Sequence, residues 1–201
     1  MPSPLSACKR KERETVPHVQ RLLQDLVFYG RLERCDEDIA RGRQSQGCRC
    51  GGPLHQGHFQ RKPRGGSAAL GAMFDRRFSY CCGHCRTRTT PPSLRFLGRK
   101  VYLGAIVLLL PAVGRRLPPG VVAALRRVLG PSVRTLRRWL AWWTEVFTRT
   151  PFWKVARARL MPIVDEVELP ASLVERFDTG HDYADVERML AFIGPVTTAT
   201  G

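Results

Sequence analysis

The sequence predicts an α+β protein, mostly α, in which a small β unit is followed by a helical bundle and then by a short, acidic, helical tail. Three observations predict it. Between Cys48 and Pro92 the chain is rich in cysteine, glycine and proline and has no helical period, whereas beyond Val101 apolar residues recur at three- and four-residue spacing. Residues 162–201 then hold 8 acidic and 2 basic side chains, against 9 acidic and 31 basic upstream, so a segment near +22 precedes one near −6. With 201 residues, 43% of them hydrophobic, the chain has material for one medium domain or two small ones. The formal charge of +16, carried mostly by arginine, makes a polyanion the expected partner.

Taken in order, residues 1–45 read as a basic arm and a short helix. The arm is residues 1–15, rich in basic residues with proline and serine, and the helix runs from Val16 to Tyr29, with Val19, Leu22, Leu23, Leu26 and Val27 at helical spacing and Gly30 as its end. Residues 36–47 read as a polar loop. Residues 46–98 form the β unit, with strands expected at His55 to Lys62 and Arg76 to Cys82 around Gly65-Gly66 and an apolar stretch near Leu70. Residues 99–161 form the helical unit. Its pieces are a buried helix in Val101 to Val113, a second at Val121 to Leu129 after Pro118-Pro119-Gly120, a third at Ser132 to Thr148 after Gly130-Pro131, and a fourth begun by Thr150-Pro151, where Thr caps and Pro opens the first turn. The run Val101 to Val113 is 13 residues long and contains Pro111, too short to cross a bilayer, so no membrane partner is expected. Residues 162–201 form the tail, with short helices at Ala171 to Phe177 and Tyr183 to Phe192. Its apolar residues Leu169, Leu173, Phe177, Leu190, Phe192 and Ile193 imply packing rather than disorder, either against a partner protein or back on the basic surface.

The β unit has little apolar material and needs a staple. Seven cysteines, an odd number, fit metal ligation or free thiols better than a disulfide framework. Cys82-x-x-Cys85 has the spacing of a zinc knuckle, and Cys48-Arg49-Cys50-Gly51-Gly52 supplies a second, tighter one 31 residues upstream. One structural Zn²⁺ held by Cys48, Cys50, Cys82 and Cys85 is the expectation. Because Cys-x-Cys is one residue shorter than usual, Cys81, His55, His58 and His84 stay open as alternative ligands. Metal-free thiols are the bland reading. A redox pair at Cys82 and Cys85 lacks the βαβ surroundings that such chemistry uses. Arg86, Arg88, Arg95, Arg99 and Lys100 beyond the knuckle, with Arg61, Lys62 and Arg64 on the opposite strand, are candidate phosphate ligands, or else a solvated surface.

In the third helix Val133, Leu136, Leu140, Trp143 and Phe147 make an apolar stripe, and Arg134, Thr135, Arg137 and Arg138 lie on the other face. A short helix, a Gly-Pro turn and a helix so divided have the form of a helix-turn-helix, in which arginines and Thr135 read base edges while Arg126 and Arg127 grip the backbone. A plain bundle with an arginine-rich face is the alternative. Trp139, Trp142 and Trp143 are expected in packing.

The order of zinc-knuckle unit and Ser-x-x-Thr-x-x-x-Trp helix resembles the DNA-binding half of bacterial insertion-sequence transposases and the small accessory proteins of such elements. Cys48-Arg49-Cys50-Gly51-Gly52, Cys82-Gly83-His84-Cys85-Arg86, Arg88-Thr89-Thr90-Pro91-Pro92-Ser93 and Ser132 to Trp139 carry it, over roughly residues 46–160. The resemblance implies transposition or its regulation, double-stranded DNA as ligand and a separate catalytic transposase subunit as partner. Three carboxylates on a ribonuclease-H-like fold are not expected, because the acidic residues crowd into a 40-residue tail too short for that domain. No catalytic residues are therefore assigned. A zinc-ribbon RNA-binding or ribosome-associated protein is the alternative, and a nuclease built on His55 and His58 a third. The N-terminus has no apolar run after its charges, so a cytoplasmic protein is expected, and the resemblance implies that it is bacterial and nucleoid-associated.

Overall fold

The computed structural model describes residues 21–65, 69–70, 74–97, 102–114, 119–180 and 182–197, and it is α+β with mostly helical content. The proposed arm at 1–15, the start of the first predicted helix, Arg99 and Lys100 lie outside the described residues.

The first long helix differs from its prediction. Helix α1 spans Leu26–Ser45, beginning where Asp25 accepts the Val27 N–H at 2.7 Å and running through Gly30 and all but the last two residues of the supposed loop at 36–47. Phe28, Tyr29, Leu32, Asp36 and Ala40 are buried along one side, and this packing outweighs a glycine penalty of about 1 kcal/mol in a helix interior.

Each predicted strand is broken in two. Strands β1 (Leu54–Gln56) and β2 (Phe59–Gln60) face β4 (Tyr80–Cys82) and β3 (Arg76–Arg77), with Leu54 opposite Cys82 and Phe59 opposite Arg77. The break comes where Gly57 N–H donates to Ser79 O at 2.9 Å and the His58 ring sits against Phe78 and Tyr80. A fifth strand, β5 (Arg88–Thr89), pairs with β4, giving one sheet of order β1-β4-β5 and one of β2-β3, all antiparallel. Leu54, Phe78, Tyr80 and Cys82 form a small core of their own with Ala40 from α1.

Helix α2 (Gly104–Gly114) is buried along Ala105 to Leu110 and is the centre of the main core. A helix apolar all round belongs inside. Pro111 has no N–H to give the Val107 carbonyl, and the Trp143 indole N–H fills that vacancy at 3.0 Å. Helix α3 (Pro119–Leu129) and helix α4 (Val133–Ala141) follow, joined through Gly130 at φ 82°. The expected long third helix stops being regular at Trp142, where a π turn (Trp142–Val146) and a 3-10 turn (Phe147–Arg149) lead to α5 (Pro151–Ala156), capped by Thr150 as the sequence implied. The buried stripe is Leu136, Trp139, Trp143 and Phe147, while Val133 is 42% exposed and Leu140 only half-buried. Trp139 displaces Val133 from the predicted stripe because its ring packs edge-on against Tyr102, 4.9 Å away.

Helices α6 (Ala171–Phe177) and α7 (Asp182–Ile193) match the two tail helices within a residue at each end. Leu169, Leu173, Met189, Leu190 and Ile193 are buried in the same core as α1 and α2, and the Phe177 ring packs tilted against Phe192, with centroids 5.4 Å apart. Arg31 on α1 pairs with Glu187 on α7, and Arg157 with Glu166 at 2.8 Å. Glu166 also accepts the Trp153 indole N–H, and these two hydrogen bonds hold its carboxyl below the ordinary range. No helix among the described residues is long and apolar enough to cross a membrane.

Candidate metal centre

The first knuckle grows out of the end of α1. Gly47 adopts φ 67° and its carbonyl accepts Arg43 Nη1 at 2.8 Å, after which Cys48 N–H donates to Gly52 O at 3.0 Å and Gly51 N–H to Cys48 O at 2.9 Å. This closed loop makes the short Cys-x-Cys workable. Gly51 takes φ 81°, and a Cβ on Gly52 would come within 2.8 Å of both Cys82 Sγ and His84 Cγ. The second knuckle is the turn from β4 to β5. Cys82 N–H donates to Thr87 O at 3.1 Å, Arg86 N–H to Cys82 O at 3.2 Å, and Gly83 N–H crosses to Pro53 O at 3.0 Å. Arg86 takes φ 60° to close the turn.

The two knuckles bring Cys48, Cys50, Cys82 and Cys85 together, with all four Sγ atoms within 4.8 Å of one another. Cys48 and Cys85, and likewise Cys50 and Cys82, approach to 3.5 Å. A tetrahedral ion with metal–sulfur bonds of about 2.3 Å needs sulfurs roughly 3.8 Å apart, so these positions fit a metal. Electrostatics agree with the geometry. Hydrogen bonds from the Thr87 hydroxyl and backbone N–H push the Cys85 thiol down to about 6, and the backbone N–H groups of Cys85 and His84 lower Cys82. Cys48 accepts the Cys50 N–H, which favours its thiolate, yet contact with the Cys85 and Cys50 sulfurs pushes it up to about 11. Crowded thiolates resist the last ionisation, and a cation removes that resistance.

The alternative ligands are placed elsewhere. Cys81 alternates to the other side of β4, with Sγ 3.4 Å from Arg86 O. His55 packs over Gly83, His58 Nδ1 lies 3.2 Å from the Ser79 N–H and 2.9 Å from its carbonyl oxygen, and His84 lies exposed beside Gly52. None joins the four sulfurs.

The candidate phosphate ligands divide. Lys62, Arg64, Arg86, Arg127, Arg134, Arg137 and Arg138 are exposed. Arg88 is exposed but donates to Gly57 O at 3.0 Å and Ser79 Oγ at 3.2 Å, bracing β4 against β1. Arg61 is half-buried with its guanidinium over the Phe96 ring, and burial lowers its pKa. Arg126 donates to Pro131 O at 3.1 Å and so fixes the turn between α3 and α4. Thr135 is half-buried, its N–H and hydroxyl both turned to the Ser132 cap at 3.1 and 3.0 Å. Arg95 does not fit the sequence expectation. Its side chain has no exposure, and it bonds Asp36, Glu33 and the Arg76 carbonyl amid Phe74, Phe78 and Phe96. Buried Asp36 is the acceptor that pulls it inward, taking Ser93 Oγ at 2.5 Å, Leu94 N–H at 2.6 Å and Arg95 Nε at 2.8 Å.

Two positioning residues were invisible as such in the sequence. Arg77, buried within a charged Arg-Arg pair, donates from Nη2 to Pro91 O at 2.5 Å and anchors the segment leaving the second knuckle. Asp36 looked like one acid in a polar loop; only a helix through that loop would have placed it in line with Tyr29 and Leu32. Comparisons with protein families, with curated proteins and with solved structures find no match to this chain.

Proposed function

We propose that the protein is a sequence-specific DNA-binding protein of a mobile genetic element, with Zn²⁺ as the ion at the four cysteines. The observation that carries the reading is α4. Ser132 caps its N-terminus, Leu136 and Trp139 bury one side, and Arg134, Arg137 and Arg138 stand exposed on the other, with no hydrogen bond or ion pair to their side chains among the described residues. Guanidinium groups along the exposed face of a helix, from Arg134 in the first turn to Arg138 in the last, suit bidentate contact with guanine in a major groove. The tight turn at Gly130, braced by Arg126, supports a helix-turn-helix of α3 and α4, both following the buried α2. Four thiolates favour zinc over a hard cation, and a rigid ribbon would hold Arg86, Lys62 and Arg64 against phosphates.

The test is binding at one near-physiological salt concentration to duplexes flanking the protein's own gene, to random duplex and to a structured RNA of equal length. The reading expects a preference of about a thousandfold or more for one flanking duplex. Arg134→Ala and Arg138→Ala should each cost about 1–3 kcal/mol there and little on random duplex. Equal binding to every duplex, or tighter binding to RNA, would replace it with a general nucleic-acid or RNA-binding protein.

A further inference from the structure

We propose that the four cysteines are also a reversible oxidation site, which a peroxide converts into two disulfides running across the knuckles, Cys48 to Cys85 and Cys50 to Cys82. The pairing rests on the positions of the sulfurs alone; only its metal-release arm depends on the reading of the site as a metal centre.

Two geometric facts select these pairs. The 3.5 Å contacts join Cys48 to Cys85 and Cys50 to Cys82, and each crosses from one knuckle to the other. A disulfide needs its sulfurs at about 2.05 Å with Cβ atoms roughly 3.8 Å apart, a closure that side-chain rotation from 3.5 Å can supply. Each contact also sets a sulfur that a small oxidant can reach beside a more protected one. Cys85 and Cys50 are exposed, Cys48 is half-buried and Cys82 buried. Pairing inside the first knuckle would instead work against the loop closed by the bonds of Cys48 N–H to Gly52 O and Gly51 N–H to Cys48 O.

The chemistry balances with hydrogen peroxide as oxidant. The Cys85 sulfur attacks one peroxide oxygen, the O–O bond breaks, and a sulfenic acid and one water form. The Cys48 sulfur then attacks the sulfenic sulfur; the S–S bond forms, the S–O bond breaks, and the departing hydroxide takes the thiol proton to give a second water. Cys50 and Cys82 repeat the two steps, so two peroxides are consumed and four waters released. An ion held by these sulfurs loses its ligands. A dithiol reductant takes the electrons back and restores the four thiols. Because the new bonds tie the same two loops that a metal ties, the oxidised protein keeps its ribbon without an ion.

The experiment treats the metal-loaded full-length chain with two equivalents of hydrogen peroxide. It follows metal release with a chromogenic chelator, blocks remaining thiols by alkylation, and maps tryptic peptides by tandem mass spectrometry. Trypsin cuts at Arg49, between Cys48 and Cys50, while Cys82 and Cys85 stay on one peptide. The expected result is one ion released per chain, cross-linked peptides joining Cys48 to Cys85 and Cys50 to Cys82, alkylated Cys35 and Cys81, and full reversal by dithiothreitol. A peptide holding Cys82 and Cys85 that is two hydrogens lighter and not cross-linked, the crossed pairs Cys48–Cys82 and Cys50–Cys85, or a disulfide to Cys81 would each overturn the proposal. So would four intact thiols after treatment. Metal-stripped protein is carried through in parallel. If the chain never binds metal but shows the two predicted cross-links, the metal reading fails and the oxidation site stands.

Discussion

Replacing Asp36 with alanine tests the account of how the small β unit is fastened to the helical body. The Asp36 carboxylate is 1% exposed, and the Arg95 guanidinium beside it is wholly buried. Arg95 lies against Phe74 and Phe96 of the main core and against Phe78 of the smaller core under the β strands, so this ion pair joins the two. Removing the carboxylate leaves a buried cation short of its main partner and strips acceptors from Leu94 N–H and Ser93 Oγ. Breaking a buried pair in this way costs about 3–5 kcal/mol, with the orphaned N–H favouring the upper end. Set against a total stability of about 5–15 kcal/mol, that is a large fraction. For a chain of about 200 residues it corresponds to a fall in Tm of roughly 6–20 °C. Urea unfolding followed by the fluorescence of buried Trp139, Trp143 and Trp153 measures it directly. The double variant Asp36→Ala/Arg95→Met should recover part of the loss, because the buried cation is removed with its main partner, methionine fills some of the space among the phenylalanines, and Glu33, which loses its bond to Arg95, keeps 17% exposure to water. A loss below about 1 kcal/mol in the single variant, or a double variant no better than the single one, would refute the reasoning.

Gly52→Ala should weaken metal binding by about 10–100-fold, as disturbances beside a metal shell do, because the new Cβ drives into Cys82 Sγ and the His84 ring; competition with a chromogenic chelator reads this out. Gly30→Ala should stabilise the protein by about 0.5–1 kcal/mol in the same urea assay, since Gly30 is interior to α1 and a Cβ there meets nothing within 4 Å. A neutral or destabilising result would mean that α1 does not pass through Gly30 as described.

The sequence by itself determined what depends on local chemistry. Cysteine spacing marked the four sulfurs that converge, glycines marked the first knuckle, Thr150-Pro151 marked a helix start, and three-four periodicity located α4, α6 and α7. These signals lie within a few residues of the feature that they specify. Tertiary structure decided whatever needed a partner from far along the chain. Gly30 and the polar run after it looked like an ending until packing against Phe74 and the tail helix made them one helix. Arg95 looked like its exposed neighbours until Asp36, 59 residues earlier, supplied a buried counter-charge. Val133 lost its place in the stripe to Trp139, whose ring meets Tyr102. Pro111 sits inside a helix because an indole from Trp143 takes the carbonyl that it leaves unpaired. A buried charge or an orphaned carbonyl is stabilised only by the group that meets it, and one-dimensional patterns do not carry the identity of that group.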